Sequence, residues 1–369
     1  MTTPFDTEMM ARAVQLARRG RYRARPNPTV GCVLVRDGAV IGEGTTQIAG
    51  ANHAEIEALQ ACTDASGATA YVTLEPCSHQ GKTGPCADAL IAAGISRAVI
   101  AMRDPNPAVA GEGIAKLSAA GIAVDEGLLA GEAETVNPGF YQRMRGGRPR
   151  LRIKLAASLD GRTAMASGES QWITGPAARA DVQKLRAESG AIMTGVGTVL
   201  SDNPALTVRD ESLDIPAQPL RVIVDSRLRT PADAAILRQP GSTLLAYTHG
   251  DGQALSAAGA ELLQLPEARG RVDLPALIGE LAERQINDIL VECGPRLAGA
   301  LVEAGLADEI VVYMAPTLLG SNAQPLLELP LDSMAQQRRL QVKDLRQVGE
   351  DYRWTLTVES NRDENDDRK

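Results

Sequence analysis

Along the first third of the chain, apolar positions alternate between helical spacing and short continuous runs. From Asp6 to Arg19 they recur every three or four residues, and Gly20 would close that helix as its C-terminal cap. Thr29 to Val35 reads as a strand, Asp37-Gly38 as a hairpin turn, and Ala39 to Gly42 as the returning strand. A helix opens at His53 and runs through Leu59. The strand Ala70 to Leu74, a loop carrying Cys77 and a helix from about Cys86 follow. The strand Arg97 to Met102, a helix over Gly113 to Ala120 and the short strand Ile122 to Val124 complete the pattern. Strands alternating with helices predict a layered α/β domain.

Between Arg145 and Pro149 the composition turns to glycine, proline and charge, which predicts a first domain over 1–146 and a second over 150–360. The second half alternates again. Its strand candidates are Leu151 to Leu155, Ala191 to Gly195, Leu220 to Asp225, Thr243 to Tyr247, Ile289 to Glu292, Ile310 to Tyr313 and Trp354 to Val358. Helices are expected at Ala177 to Ala187, Leu274 to Glu283 and Arg296 to Ala304. No internal repeat relates the halves. Residues 361–369, dense in charge and without apolar anchors, read as a disordered tail.

Composition narrows the function classes. A chain of 369 residues is long for one domain and comfortable for two. A hydrophobic content of 44% supports sizeable cores, and 3% aromatics makes those cores aliphatic. A formal net charge of -8 argues against a protein that coats phosphate backbones, and the scarce aromatics remove stacking platforms for unpaired bases. No apolar run approaches the ~18 residues of a membrane span, and the N-terminus shows no basic-then-apolar export signal. The expectation is a cytoplasmic protein that binds neither nucleic acid nor membrane. Five cysteines spread through so long a chain do not resemble a disulfide framework.

Two of those cysteines, together with one histidine, change the picture. His53-Ala54-Glu55 precedes Glu75-Pro76-Cys77 and then Pro85-Cys86. One imidazole and two thiolates can hold zinc with its fourth position open, the arrangement of a catalytic site. Two helix openings facing one cation would repel it, and two thiolates remove that difficulty. On a regular helix His53 and Glu55 would point about 200° apart. Both reach one pocket only if they stand at the helix entrance with the metal off its end. His79 is the rival ligand; His53 is preferred because it brings a carboxylate that need not ligate. Cys32, Cys62 and Cys293 read as small buried hydrophobes. Zinc-dependent deaminases share this inventory, in the form H-x-E…P-C-x-x-C, with a non-ligand glutamate moving the protons. Here eight residues separate the two cysteines.

The chain resembles the bacterial bifunctional riboflavin-biosynthesis deaminase-reductases. The resemblance rests on Arg25-Pro26-Asn27-Pro28-Thr29-Val30-Gly31-Cys32-Val33, His53-Ala54-Glu55 and Thr73-Leu74-Glu75-Pro76-Cys77-Ser78-His79. It continues through Lys154-Leu155-Ala156-Ala157-Ser158-Leu159-Asp160-Gly161-Arg162, Ser170-Gln171-Trp172-Ile173-Thr174, Asp202-Asn203-Pro204-Ala205-Leu206-Thr207-Val208-Arg209 and Val291-Glu292-Cys293-Gly294-Pro295. Two positions depart from the family pattern: Asn52 stands where proline usually precedes the zinc histidine, and Gly84 where proline usually precedes Pro85-Cys86.

The resemblance implies a cytidine-deaminase-like three-layer domain followed by a dihydrofolate-reductase-like α/β domain. The first would use Zn2+ to remove the 2-amino group of 2,5-diamino-6-(5-phosphoribosylamino)pyrimidin-4(3H)-one, with Glu55 shuttling protons and Asn27 holding the pyrimidine edge. The second would use NADPH to reduce the ribosyl group to ribityl. No G-x-G-x-x-G opens a βαβ unit, so a Rossmann cofactor site is not expected. Instead Ile289 to Glu292 runs through Cys293-Gly294-Pro295 into a helix, a strand–turn–helix that suits a pyrophosphate. Carried over by position, Ala156, Trp172, Thr198, Asp202, Ser226 and Gly294, Pro295, Arg296, Leu297, Ala298, Gly299 and Ala300 would meet NADPH. Ser170, Arg186, Leu206, Arg209 and Glu292 would meet the substrate, the two arginines clamping its phosphate. Lys154 and Asp202 both remain candidates for proton delivery. Similar enzymes are often homo-oligomers, although no interface signature is visible.

Rival readings remain: a nucleotide or base deaminase fused to an unrelated or degenerate nucleotide-binding domain, or a zinc-stabilised binding module with a closed four-ligand site. Ammonia release and substrate-dependent NADPH oxidation, assayed separately, discriminate them.

Overall fold

The computed structural model describes residues 2–78, 84–106 and 109–358, so His79 and the 361–369 tail lie outside the described residues. The chain divides into two compact units, residues 1–148 with 214–216 and the remainder from Pro149.

The first unit runs α1 (Pro4–Gly20), β1 (Gly31–Arg36), β2 (Ala39–Thr45), α2 (Ala54–Gln60), β3 (Thr69–Val72), α3 (Cys86–Ala92) and β4 (Arg97–Ile100). It then continues through α4 (Glu112–Ala119), β5 (Ala123–Glu126), α5 (Ala130–Glu134) and α6 (Pro138–Gly146). Its sheet has the order β2-β1-β3-β4-β5. β1 is antiparallel to both neighbours, and β3, β4 and β5 are parallel. Side-chain alternation along β1 builds three layers. Cys32 and Leu34 join Ala54, Ala58, Leu90 and Leu117 from α2, α3 and α4, while Val33 and Val35 join Met10, Ala13 and Val14 from α1. Each fully buried valine or leucine contributes about 1.5–3 kcal/mol.

α1 starts earlier than the apolar spacing suggests, because Thr3 and Asp6 form a capping box around Pro4. Gly20 is its last helical residue, and the cap, Arg21, is right-handed. Glycine is needed there for packing: a Cβ would lie 2.6 Å from Thr29 Oγ1 and 2.7 Å from Thr45 Oγ1.

The second unit begins with β6 (Arg150–Ser158), β7 (Arg162–Ala164), α7 (Pro176–Glu188), β8 (Ala191–Gly195), α8 (Val196–Asp202), β9 (Leu220–Val224), β10 (Thr243–Tyr247) and α9 (Gln253–Ala257). There follow β11 (Glu261–Gln264), β12 (Glu267–Ala268), β13 (Arg271–Val272), α10 (Leu274–Glu283), β14 (Asp288–Glu292) and α11 (Pro295–Glu303). It ends with β15 (Glu309–Ala315), β16 (Gln324–Pro325), β17 (Leu340–Val348) and β18 (Asp351–Val358). Nine strands form one sheet, β11-β10-β9-β8-β14-β6-β15-β18-β17, parallel from β11 to β15 and antiparallel at β18 and β17. The central strands read as continuous apolar runs because both faces are covered. Ile289 and Val291 pack with Leu277 and Leu281 of α10 and Leu301 of α11, and Leu290 meets Val182 and Leu185 of α7 on the other face.

Of the elements that escape the periodicity, two show the physical reason plainly. α8 springs directly from β8 with Gly195 as its N-cap, and only Val196 and Val199 of its seven residues are buried. β17 is a sheet edge whose residues are nearly all exposed, so it lacks apolar alternation. No helix among the described residues is long and apolar enough to cross a membrane.

Candidate metal centre and cofactor cavity

His53, Cys77 and Cys86 offer ligand atoms that all lie within 4.8 Å of one another, the only such group found among the described residues. His53 is the N-cap of α2, with extended backbone (φ -79, ψ 165), which turns its ring off the helix end while Glu55 sits in the first turn. Its Nδ1 lies 3.3 Å from Cys86 Sγ and 3.6 Å from Cys77 Sγ. Cys86 opens α3, and its backbone N–H donates to Cys77 Sγ at 3.3 Å. The helix terminus therefore favours the thiolate of Cys77.

Cys86, although it opens the helix, passes that benefit to Cys77 through its own N–H. Hydrogen bonding from the Cys86 thiol, with help from His53 and the Cys86 N–H, draws Cys77 far below the usual thiol range against burial. The Cys86 thiol moves up, because it donates to Cys77 and is buried beside Glu55. His53 moves up through its contact with Cys77, although burial opposes this. One proton shared by two sulphurs facing an imidazole is a donor set short of a cation. A divalent ion taking both thiolates and neutral Nδ1 fits it.

Glu55 is buried in the same place, and burial raises its carboxyl to about 7. It can therefore hold a proton as well as release one. Asn27 lies half-buried in the turn that leads to β1. That turn is fixed by a residue sequence reasoning missed: Asn137, just before α6, accepts from Thr29 N at 2.7 Å and donates to Thr29 O at 2.8 Å.

Glu75 is the second missed residue. Its buried carboxylate accepts four backbone N–H bonds: Gly113 at 2.9 Å and Ile114 at 3.2 Å on one oxygen, Gly111 at 3.0 Å and Asp104 at 3.2 Å on the other. It thereby caps α4 and ties the loop after β4 to the segment that carries Cys77. Gly113 completes the joint, since a Cβ there would stand 2.0 Å from Pro76 O. The available signal was a carboxylate set between an apolar strand and Pro-Cys, a position that burial would allow only with several donors.

The second unit carries an open cleft of about 1620 Å³. That exceeds the ~300–1,000 Å³ of a site for one small ligand and suits a cofactor together with a substrate. Ala156, Trp172, Thr198, Asp202, Ser226, Gly294, Pro295, Arg296, Leu297 and Ala300 line it. So do Lys154, Ser170, Arg186, Leu206, Arg209 and Glu292. Ala298 and Gly299 do not. Ala298 points into the core under α11, and Gly299 lies against the Glu328 carbonyl. On a helix only some residues of a turn can face one side, so the whole run Gly294 to Ala300 could not line the cavity.

Arg186 also differs from expectation. Its Nε and Nη2 donate to the two oxygens of Glu292 at 2.6 and 3.0 Å, and Nη1 donates to Thr207 O at 2.8 Å. A guanidinium so engaged anchors Glu292 and is not a free phosphate clamp; Arg209 remains exposed. Lys154 is the register partner of Glu292 on neighbouring strands. Its Nζ lies 5.9 Å from the Tyr313 ring centroid. Burial lowers its pKa; Glu292 opposes that shift and Arg186 adds to it. Asp202 ends α8, exposed at the cavity wall. Trp172 is 68% exposed, with the Arg179 guanidinium stacked 4.5 Å from its ring centroid. Gly294 caps α11 without a side-chain cap, which leaves the first N–H groups of that helix for a ligand.

Comparison with known proteins finds matches in both units of the chain. The RibD C-terminal domain model matches residues 149–353, and the cytidine and deoxycytidylate deaminase zinc-binding region matches residues 3–102. The riboflavin biosynthesis protein RibD of Escherichia coli is 53% identical over 358 residues, covering 94% of this chain and 97% of that protein. Its namesake in Haemophilus influenzae is 47% identical over 370 residues, 95% and 97% of the two chains. Among solved structures, Acinetobacter baumannii RibD (form 1) superposes with a TM-score of 0.91 at 45% identity, covering 96% of this chain and 99% of that one. The Thermotoga maritima diaminohydroxyphosphoribosylaminopyrimidine deaminase/5-amino-6-(5-phosphoribosylamino)uracil reductase superposes at 0.85 and 31% identity, with the same coverage.

Proposed function

The chain belongs to the RibD family of bifunctional riboflavin-biosynthesis deaminase-reductases, and we propose that each of its units carries one of the two steps. Residues 1–146 perform the hydrolytic deamination of 2,5-diamino-6-(5-phosphoribosylamino)pyrimidin-4(3H)-one. Residues 150–360 perform the NADPH-dependent reduction of the ribosyl group to ribityl. The observation that carries this reading is the convergence of His53, Cys77 and Cys86 beside the buried carboxylate of Glu55. The match of residues 149–353 to the RibD C-terminal domain speaks against an unrelated second domain.

His53 Nδ1, Cys77 Sγ and Cys86 Sγ would hold zinc, which when bound supplies the Lewis acidity that makes water nucleophilic at neutral pH. Glu55 takes the proton of that water and returns protons to the ring nitrogen and the departing amine. Burial favours its protonated form, so a captured proton stays until it is delivered. Asn27 positions the pyrimidine edge.

In the reductase unit the free N–H groups opening α11 receive the cofactor pyrophosphate, and Ala156, Trp172, Thr198, Asp202 and Ser226 hold the rest. NADPH, when bound there, would supply the hydride for reduction at C1′ of the sugar. Ser170, Leu206, Arg209 and Glu292 orient the substrate, and Arg186 holds Glu292 in place. Lys154 or Asp202 delivers the proton.

Separate assays of ammonia release and substrate-dependent NADPH oxidation test the assignment. Glu55→Gln should retain zinc, lose ammonia release and still reduce the deaminated substrate. A zinc-replete variant releasing ammonia at the wild-type rate would refute the role of Glu55.

A further inference from the structure

Lys154 is the register partner of Val311 on β15, and Val311 and Tyr313 pack against Ala178, Val182 and Leu185 of α7. Paired residues in a sheet share a face, so Lys154 stands on the α7 side, where it lines the cleft half-buried. Among the described residues its Nζ makes no hydrogen bond and no ion pair. An ammonium drawn from water without such a partner is pushed towards the neutral amine.

What faces Lys154 is charge at a distance and one aromatic ring. Glu292 on β14 favours the ammonium, but Arg186 of α7 occupies both oxygens of that carboxylate and opposes the charge on Lys154. Arg209 also acts on Glu292. Arg152, two residues back on the same face of β6, is held by Glu188 and Glu309. The Tyr313 ring centroid lies 5.9 Å from Lys154 Nζ, within cation–π reach. Tyr313 is fully buried, and its far end is fixed. Its hydroxyl donates to Asp181 Oδ2 at 2.6 Å, and Arg353 Nη1 of β18 donates to the same oxygen at 2.9 Å. Burial and the bond to Asp181 push the ionisation of that hydroxyl up, so the ring stays neutral with an electron-rich face.

We propose that Tyr313 is a positioning residue of the reductase step: its ring, clamped by Asp181 and Arg353, holds the Lys154 side chain at the cleft wall as an ammonium able to give up a proton. Tyr313 does not line the cleft, so it acts through Lys154. The inference rests on the reductase reading with Lys154 as its proton donor, and it adds the group that keeps this donor charged.

The protonation of Lys154 is readable without turnover. The full chain is acetylated competitively with a trace of acetic anhydride across a pH series, and the Lys154 peptide is followed by mass. Tyr313→Phe keeps the ring and should leave the pH midpoint close to that of wild type. Replacing Tyr313 by 3,4,5-trifluorophenylalanine keeps the shape and strips the ring face of its negative charge. The midpoint should then fall by about 0.5–1.5 relative to Tyr313→Phe. The alkaline limb of substrate-dependent NADPH oxidation should move to lower pH with it. Tyr313→Leu should act in the same direction; should it misfold, the fluorinated chain, checked by its unfolding temperature, carries the test. A midpoint unmoved by fluorination would overturn the proposal, as would a midpoint that falls while the alkaline limb stays in place. A wild type that oxidises no NADPH with the pyrimidine, while fluorination still lowers the midpoint, would sink the reductase reading and uphold the ring contact.

Discussion

Replacing Glu75 by glutamine keeps the side-chain shape and changes one oxygen into an amide NH2. Of the four N–H groups that converge on this carboxylate, two would lose their acceptor and face another donor. Each buried unsatisfied N–H costs about 1–3 kcal/mol, so the substitution should destabilise the first unit by about 2–6 kcal/mol. Domain stabilities lie near 5–15 kcal/mol, which makes this a large fraction. At about 2–4 °C per kcal/mol for a unit of this size, the unfolding temperature should drop by roughly 5–20 °C. The loosened joint is the one that carries Pro76-Cys77, so zinc should also leave faster. The assay is calorimetric unfolding of the full chain, paired with chelator-driven zinc release followed by an indicator dye. Reduction of the deaminated substrate serves as an internal control, because Glu75 lies in the other unit. Wild-type unfolding and wild-type zinc release in Glu75→Gln would refute the reasoning.

Gly113→Ala attacks the same joint from the other side: its Cβ would sit 2.0 Å from Pro76 O. Faster zinc release with reductase activity intact is expected, and wild-type release kinetics would contradict it. Asp6 is held well below the usual carboxylate range; burial opposes ionisation, but Arg97 at 2.7 Å and the Tyr71 hydroxyl at 2.6 Å prevail. Its folded pKa is the lower one, so its stabilisation is complete above the unfolded value of about 4 and drains as pH falls below it. Asp6→Asn should flatten the dependence of stability on pH below about pH 4, as read by urea unfolding at several pH values; parallel curves would contradict this. Asp202→Asn should slow reduction with little change in deamination. Full-speed NADPH oxidation in that variant would leave Lys154 as the proton donor.

The legible parts of this molecule were those written in short-range pattern. β1 showed itself because Cys32, Leu34 and Val33, Val35 alternate between two buried layers. The metal residues stood out because His53-Ala54-Glu55, Pro76-Cys77 and Pro85-Cys86 together supply one imidazole, two thiolates and a neighbouring carboxylate, and the structure sets His53 and Cys86 at helix openings. What stayed hidden depends on partners distant in sequence. Nothing near Arg186 shows that Glu292, 106 positions away, would engage its guanidinium. Likewise the support of the Asn27 turn comes from Asn137, and the four donors to Glu75 come from a loop and a helix start that only the fold brings to it. The run Gly294 to Ala300 was read as one cofactor surface, and helix geometry then turned Ala298 and Gly299 away from it.

The most direct measurement is to incubate purified, zinc-loaded protein with the diaminopyrimidine phosphate, with and without NADPH, and follow the products by mass. Without NADPH the account predicts a single product in which an amine is exchanged for oxygen. With NADPH that product should gain a further hydride and proton. No amine exchange in zinc-loaded protein, or reduction of the sugar without added NADPH, would contradict the account.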